Sequence, residues 1–259
     1  MRNDRLEFGF PRVSVVLATR DRPTFLPIAL RCYAEQTYPY RELIVVDDGD
    51  KFPADLAAVE AVGGTILRVP PGTLLGAKLN RGLQLARGPL CHKMDDDDWY
   101  APTFLESMVS PFLKVRQKFC RSILACLTPF LFFDLAGWRI RRGRAAETPG
   151  SALLFAREDW KQQPFRELPQ DEDVWFVRDQ CDAGSSFLTV AAKETYLAVR
   201  HGSIATDRGH TWTQHDNGES LDSHIDRQPL YDRSPEQLLP SWAVTAYRAM
   251  LRPPNGRDV

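Results

Sequence analysis

Four short apolar runs, 13–17 (VSVVL), 43–46 (LIVV), 65–69 (TILRV) and 90–94 (LCHKM), alternate with stretches of helical period, and this alternation constrains the fold most. Brief β-branched runs bounded by turn residues read as buried strands, whereas apolar residues recurring every three or four positions form one face of a helix. Residues 25–36 carry Leu26, Ala29, Leu30 and Tyr33 on one face, and residues 76–86 carry Leu79, Leu83 and Ala86. A shorter helix is expected over 54–62, and Pro70-Pro71-Gly72 and Gly88-Pro89 punctuate the pattern. Strand and helix in strict turn at this spacing predict an α/β fold, a mostly parallel central sheet with helices on both faces.

Beyond residue 100 the pattern loosens. A helix is expected over 102–115, strands over 123–133, 151–156, 187–190 and 196–200, and a helix over 171–179. Residues 139–144 (RIRRGR) read as a basic loop. From about 226 onward, Pro229, Pro235, Pro240 and Pro253-Pro254 mark a short C-terminal extension with one helix near 243–251 and a frayed end. The 259 residues suit one domain plus that extension. With 33 Lys and Arg against 34 Asp and Glu, no overall basicity favours nucleic acid, and none is expected as a partner. Five scattered cysteines without a C-x-x-C pair argue against a disulfide framework or a zinc site. The N-terminus lacks a signal-peptide core, and the longest apolar run, 123–133, is about half a membrane span. The expectation is a cytoplasmic protein without a transmembrane segment, peripheral membrane contact being left open.

The strands run into three polar clusters: Thr19 to Arg22, Asp47-Asp48, and the four consecutive aspartates Asp95 to Asp98. In open α/β sheets ligands bind at the carboxyl ends of strands, so these clusters should converge. Four adjacent carboxylates repel, at about 5 Å by on the order of 1 kcal/mol per pair even when partly solvated. A solvated acidic turn is the plain explanation. Against it, the run follows an apolar strand directly and precedes Trp99-Tyr100-Ala101-Pro102, which reads as a packed segment. A hard divalent cation would relieve the repulsion, and the spacing is not that of an EF-hand. Carboxylate-held Mg²⁺ or Mn²⁺ leaves coordination positions for substrate phosphates. Such a site points to an enzyme acting on a nucleotide or sugar-nucleotide; with neither a P-loop nor a G-x-G-x-x-G after any strand, a P-loop ATPase is excluded and a dinucleotide-binding enzyme disfavoured.

Four segments in order, V-S-V-V-L-A-T-R-D-R-P (13–23), E-L-I-V-V-D-D-G (42–49), K-L-N-R-G-L-Q-L-A-R-G (78–88) and K-M-D-D-D-D-W-Y-A-P (93–102), together resemble family 2 glycosyltransferases of the Rossmann-like GT-A fold. The resemblance implies a nucleotide-diphosphate sugar donor, often a UDP-sugar, with Mn²⁺ or Mg²⁺. It places donor binding in 12–110, acceptor binding and catalysis in 111–225, an N-terminal extension in 1–11 and a helical tail in 226–259. Thr19 and Arg20 fall where the first loop frames base and ribose, Arg20 standing where an aromatic is usual. Asp48 matches the acid that contacts the base, with Asp50 in place of the usual Ser. Lys78 falls near the donor, and Asn80 matches a helix Asn of structural character. Asp95-x-Asp97 matches the family's D-x-D motif. Asp97 is the foremost metal ligand, and Asp95 and Asp96 are candidates for a second ligand and for the ribose hydroxyls. An inverting transferase needs a carboxylate to deprotonate the acceptor hydroxyl. The stretch 170–176 (QDEDVWF) resembles the family's later E-D motif, with Asp173 as the base and Glu172 and Asp171 beside it. His201, then His210, matches a C-terminal histidine near the metal. The acceptor would be a hydroxyl on a glycan, a lipid-linked carrier or a protein. A non-catalytic binding module on the same fold is the alternative; a pyrophosphorylase is disfavoured because 18–23 contains no Gly.

Overall fold

The structure, a computed structural model, describes residues 10–119, 122–143, 149–168, 171–201 and 227–251. Strands β1 (Val13–Thr19), β2 (Arg41–Asp47), β3 (Gly64–Arg68) and β4 (Leu90–Asp95) alternate with helices α1 (Leu26–Ala34), α2 (Leu56–Ala61) and α3 (Leu75–Leu85), as the pattern predicts. After the two-residue strand β5 (Trp99–Tyr100) come α4 (Phe104–Phe119), β6 (Ile123–Leu127), β7 (Leu131–Asp134), β8 (Arg139–Arg142), β9 (Leu153–Ala156), α5 (Arg157–Gln162), α6 (Glu172–Asp182), β10 (Ser186–Val190) and β11 (Tyr196–Arg200). The C-terminal segment forms α7 (Pro235–Leu238) and α8 (Ser241–Met250).

Seven strands form the central sheet in the order β10-β6-β9-β4-β1-β2-β3, parallel except for β9, which runs antiparallel to both β4 and β6. Alternate residues of a strand face opposite sides, and both sides are covered here, which is why the strands read as unbroken apolar runs. Val13, Val15, Leu17, Leu43 and Val45 pack with Leu26, Ala29, Leu30 and Tyr33 of α1 and Phe104, Met108 and Phe112 of α4. Val16, Ile44 and Val46 face the other way, onto Leu79 and Leu83 of α3 and Phe155, Phe165 and Phe176. Gly82 lets α3 approach closely: a Cβ there would lie 2.6 Å from Val16 Cγ1 and 2.8 Å from Val46 Cγ2.

A second, four-stranded sheet has the order β5-β11-β7-β8. It corrects two expectations. The run 123–133 is not one strand: Pro129, which has no N–H to give a ladder, separates β6 in the first sheet from β7 in the second. The basic stretch 139–144 is not a loop over its described part but strand β8, antiparallel to β7, with Arg139 Nε 2.7 Å from Asp134 Oδ2 and Arg141 Nη1 donating to Gln228 O at 2.7 Å. The helix expected from 102 starts at Phe104 and runs on to Phe119, and α5 and β5 were not foreseen. Cys32, Cys91 and Cys126 are buried free thiols and Cys181 is exposed; Cys120 lies outside the described residues. No helix of the described residues is long and apolar enough to cross a membrane.

Candidate functional site

Strand register assembles the site. Thr19 pairs with Asp47 across β1 and β2, and Ala18 pairs with Asp95 across β1 and β4, so the three polar clusters leave the sheet side by side. At the β2 end, Asp47 accepts the N–H groups of Gly49 and Ala54, both at 2.8 Å, and pairs with Arg68, fixing the turn. Asp48 is buried, and Oδ1 accepts from Lys78 Nζ at 2.7 Å while Oδ2 accepts from Gly72 N at 3.0 Å. Arg20 Nη1 approaches the same Oδ2 at 3.6 Å, and Lys78 also donates to Thr19 O at 3.3 Å. Thr19, Arg20, Asp48 and Lys78 thus form one group. Asn80 faces away: its Oδ1 accepts from Trp160 Nε1 at 2.9 Å and Phe165 N at 3.1 Å, clamping the segment after α5.

The aspartate run is not a solvated turn. Asp96, Asp97 and Asp98 are buried, and only Asp95 keeps a side-chain exposure of 35%. Thr19 Oγ1 donates to Asp96 Oδ2 at 2.6 Å, and Arg22 Nη1 lies 3.7 Å from Asp96 Oδ1 and 2.8 Å from Asp97 Oδ2. Burial pushes the Asp96 carboxyl up to about 6 against the pull of Arg22, with Asp97 adding to the rise. For Arg22 itself the pull of Asp96 and Asp97 outweighs burial, and its pKa is raised. Asp98 turns inward, accepting from Ser151 Oγ at 2.6 Å, Val199 N at 2.8 Å and the Tyr196 hydroxyl. Burial, then the charge of Asp97, pushes it up to about 7.

Carboxylate oxygens of Asp95, Asp97 and Asp98 lie within 4.8 Å of one another. Asp98 is already committed to Ser151 in the turn before β9 and to Tyr196 and Val199 of the second sheet, whereas Asp95 and Asp97 face the cleft and are the better-placed hard ligands. His201 follows β11, fully buried against the Phe25 ring, and its Nε2 is 3.2 Å from Asp97 Oδ2. Two carboxylates are a donor pair for a hard divalent cation, and His201 brings an imidazole beside them. His210 lies outside the described residues.

On the other side of Asp95 stands the start of α6. Lys93, buried in β4, places Nζ 3.0 Å from Glu172 Oε1, 3.4 Å from Asp95 Oδ1 and 3.9 Å from Asp173 Oδ2. Burial would lower its pKa, but Asp95, Glu172 and Asp173 together hold it well above the ordinary lysine value. Glu172 is buried on this lysine, and burial raises its carboxyl despite the ion pair. Asp173 keeps a quarter of its side chain exposed and faces Gly150, where a Cβ would fall 1.5 Å from Asp173 Oδ2. Asp171, at φ +60°, precedes the helix. Sequence reasoning passed over Lys93 and the pairing role of Arg22. The signal for Lys93 was present, since a cation inside an apolar strand requires carboxylate partners.

The family described as Glycosyl transferase family 2 matches residues 14–181. A protein of Bacillus subtilis (strain 168) named as a glycosyltransferase, EpsH, is 33% identical over 103 residues, which are 38% of this chain and 30% of that protein. An uncharacterized glycosyltransferase of Rickettsia bellii (strain RML369-C) is 26% identical over 120 residues, 46% of this chain and 17% of its own length. The matched stretches therefore span less than a third of these curated relatives. Among solved structures, S. aureus TarS 1–349 in complex with UDP-GlcNAc superposes with a TM-score of 0.60 at 17% identity, over 77% of this chain and 61% of that one. At that identity the likeness shows the fold, which is GT-A.

Proposed function

The chain belongs to glycosyl transferase family 2, and on that premise we propose that it moves a sugar from a nucleotide-diphosphate sugar to a hydroxyl acceptor with inversion at the anomeric carbon. One observation carries this reading: Asp95 and Asp97 stand between the Thr19, Arg20, Asp48 and Lys78 group on one side and Asp173 on the other. The site is thereby two-sided. UDP-GlcNAc and UDP complexes of TarS support a UDP-sugar as the donor.

Thr19, Arg20 and Asp48 would take the nucleoside, with Lys78 holding Asp48 in place, and Asp96 would meet the ribose hydroxyls. Asp97, Asp95 and His201 would hold Mn²⁺ or Mg²⁺; such an ion neutralises charge developing on the departing diphosphate. Asp173 is the general base, because it is accessible whereas Glu172 is buried on Lys93. It takes the proton of the acceptor hydroxyl as the oxygen attacks, and Lys93 Nζ, 3.9 Å from its Oδ2, helps to hold the carboxylate in place. The acceptor hydroxyl belongs to a glycan, a lipid-linked carrier or a protein. Bringing both substrates together at one sheet edge supplies much of the rate.

The test is a panel of nucleotide sugars, with Mn²⁺ or with EDTA, read by thermal shift and by nucleoside diphosphate release. Wild-type protein should be stabilised by its donor and Mn²⁺ together and should turn the donor over. Asp97→Ala should fold and lose both the Mn²⁺-dependent shift and turnover. Asp173→Asn should keep donor binding while turnover falls about 10²- to 10⁴-fold. Undiminished turnover in EDTA would remove the metal from the proposal, and undiminished turnover in Asp173→Asn would remove the base. Donor binding with no turnover in the wild type would favour a binding module.

A further inference from the structure

Asp21 has no part in the chemistry proposed above, yet it makes the densest set of contacts between the loops at the nucleoside side. It stands in the loop after β1 at φ +51°, a left-handed conformation that Asp and Asn tolerate better than other non-glycine residues. Its Oδ1 accepts the backbone N–H groups of Asp50 at 3.1 Å, Lys51 at 2.9 Å and Phe52 at 2.9 Å. All three belong to the loop after β2. That loop is held from its own strand by Asp47, through Gly49 N and Ala54 N. The two carboxylates converge on Gly49, where a Cβ would lie 2.9 Å from Asp47 Oδ1 and 3.2 Å from Asp21 Oδ1, so only glycine leaves room. Burial opposes ionisation of Asp21, but the three N–H donors outweigh it and hold the carboxyl below its ordinary range. Arg20 stands immediately before Asp21, and Asp48 stands two residues before Asp50; their charged groups are 3.6 Å apart.

We propose that Asp21 is a positioning residue for the donor, a carboxylate clasp that ties the loop after β2 to the loop after β1 and keeps the Arg20–Asp48 slot formed before the nucleotide arrives. This rests on the reading that these loops take the nucleoside. A slot ordered in advance spares the ligand the cost of ordering it, so the clasp acts on affinity and not on the chemical step.

The experiment measures UDP binding with Mn²⁺ by calorimetry, and donor KM and kcat, on the wild type and on Asp21→Ala, Asp21→Gly and Asp21→Asn. GDP and ADP serve as parallel probes. Asp21→Ala should weaken UDP binding and raise donor KM by about ten- to a hundredfold, with kcat at saturation within about threefold. Asp21→Gly relieves the left-handed backbone while removing the carboxylate, so it should fold readily and weaken binding as Ala does. Asp21→Asn keeps an oxygen acceptor for the same N–H groups and should stay within about threefold of wild type. Unchanged UDP binding in Asp21→Ala and Asp21→Gly, or an Asn variant as weak as Ala, overturns the clasp while the wild type still binds nucleotide. Wild-type protein that binds none of the three nucleotides overturns the functional reading and the clasp with it.

Discussion

His92 and Lys93 are neighbours on β4 that face opposite ways, and each is buried by a different device. Lys93 gathers three carboxylates. His92 stays neutral: its Nδ1 is 2.9 Å from Leu153 O, which fixes the proton on that nitrogen, and the ring packs against Tyr100 and Phe104. Burial pushes its pKa down to about 4. The folded value lies below the unfolded one, about 6.5, so on acidification the unfolded chain binds the proton first. The contribution of His92 is therefore fully present above about pH 6.5 and is lost as the pH falls towards 4, by on the order of 3 kcal/mol. His92→Gln removes the titration, so denaturant melts of wild type and variant should converge in stability between pH 7 and 4.5; parallel curves would refute the assignment. Lys93→Met leaves Glu172, Asp95 and Asp173 uncompensated and should cost about 3–5 kcal/mol, part of which Glu172→Leu in the same chain restores, because an apolar replacement of a buried pair is often neutral. If the double variant is no more stable than Lys93→Met, Glu172 is not the partner that matters.

Elements differ in how far their residues announce them. β1, β2, β4, α1 and α3 were legible because a strand buried on both faces is an unbroken apolar run and a helix packed on one face repeats at three and four. The loops after β1 and β2 and the aspartates followed, since register alone carries them to one edge. The run 123–133 misled because apolar composition says that residues are buried but not in which sheet. β8 misled because Arg141 and Arg142 meet Gln228 O and Asp232, about ninety positions along the chain, and no local pattern reports such partners; Arg139 has a nearby one, Asp134. The turn at 149–152 was equally silent, although Ser151 bonds Asp98 and Gly150 faces Asp173. Gly150→Ala should push the Asp173 carboxylate aside, lowering kcat at least about tenfold while the donor still binds, since displacement by about 1 Å is costly to a positioned catalytic group. Equal kcat would show that Asp173 works from another position. Gly82→Ala, where α3 meets Val16 and Val46, should instead cost stability, about 1–3 kcal/mol from overpacking, without a specific effect on turnover.

At the scale of the whole molecule, the C-terminal segment joins the two sheets. The helix expected near 243–251 is α8, the frayed end expected after it lies outside the described residues, and the segment is tied down: Tyr231 N donates to Ile140 O at 2.8 Å, Arg142 N donates to Pro229 O at 2.9 Å, and Trp138 Nε1 donates to Glu236 Oε1 at 2.6 Å, all on β8 or the turn leading into it. From α8, Trp242 Nε1 donates to Glu35, the residue that ends α1, at 3.2 Å, and its ring lies under Arg31 of α1 at 4.2 Å, beside the first sheet. Between them Tyr247 is fully buried, its ring 5.3 Å from Phe133 of β7. Phe133 is aligned with Val199 of β11, whose N–H holds Asp98, and β11 leads into His201. Support for Asp98 and His201 thus runs back to a helix far along the chain. Tyr247→Ala should cost about 3–5 kcal/mol by opening a cavity there. The hydroxyl has no hydrogen-bond partner among the described residues, so Tyr247→Phe should be neutral or stabilising by about 1 kcal/mol. If the ring supports β7 and β11 as the packing implies, Tyr247→Ala should also shrink the Mn²⁺-induced rise in melting temperature, while Tyr247→Phe leaves it whole. A Tyr247→Ala variant that loses stability but keeps the full Mn²⁺ response would confine the helix to holding the fold and sever it from the site.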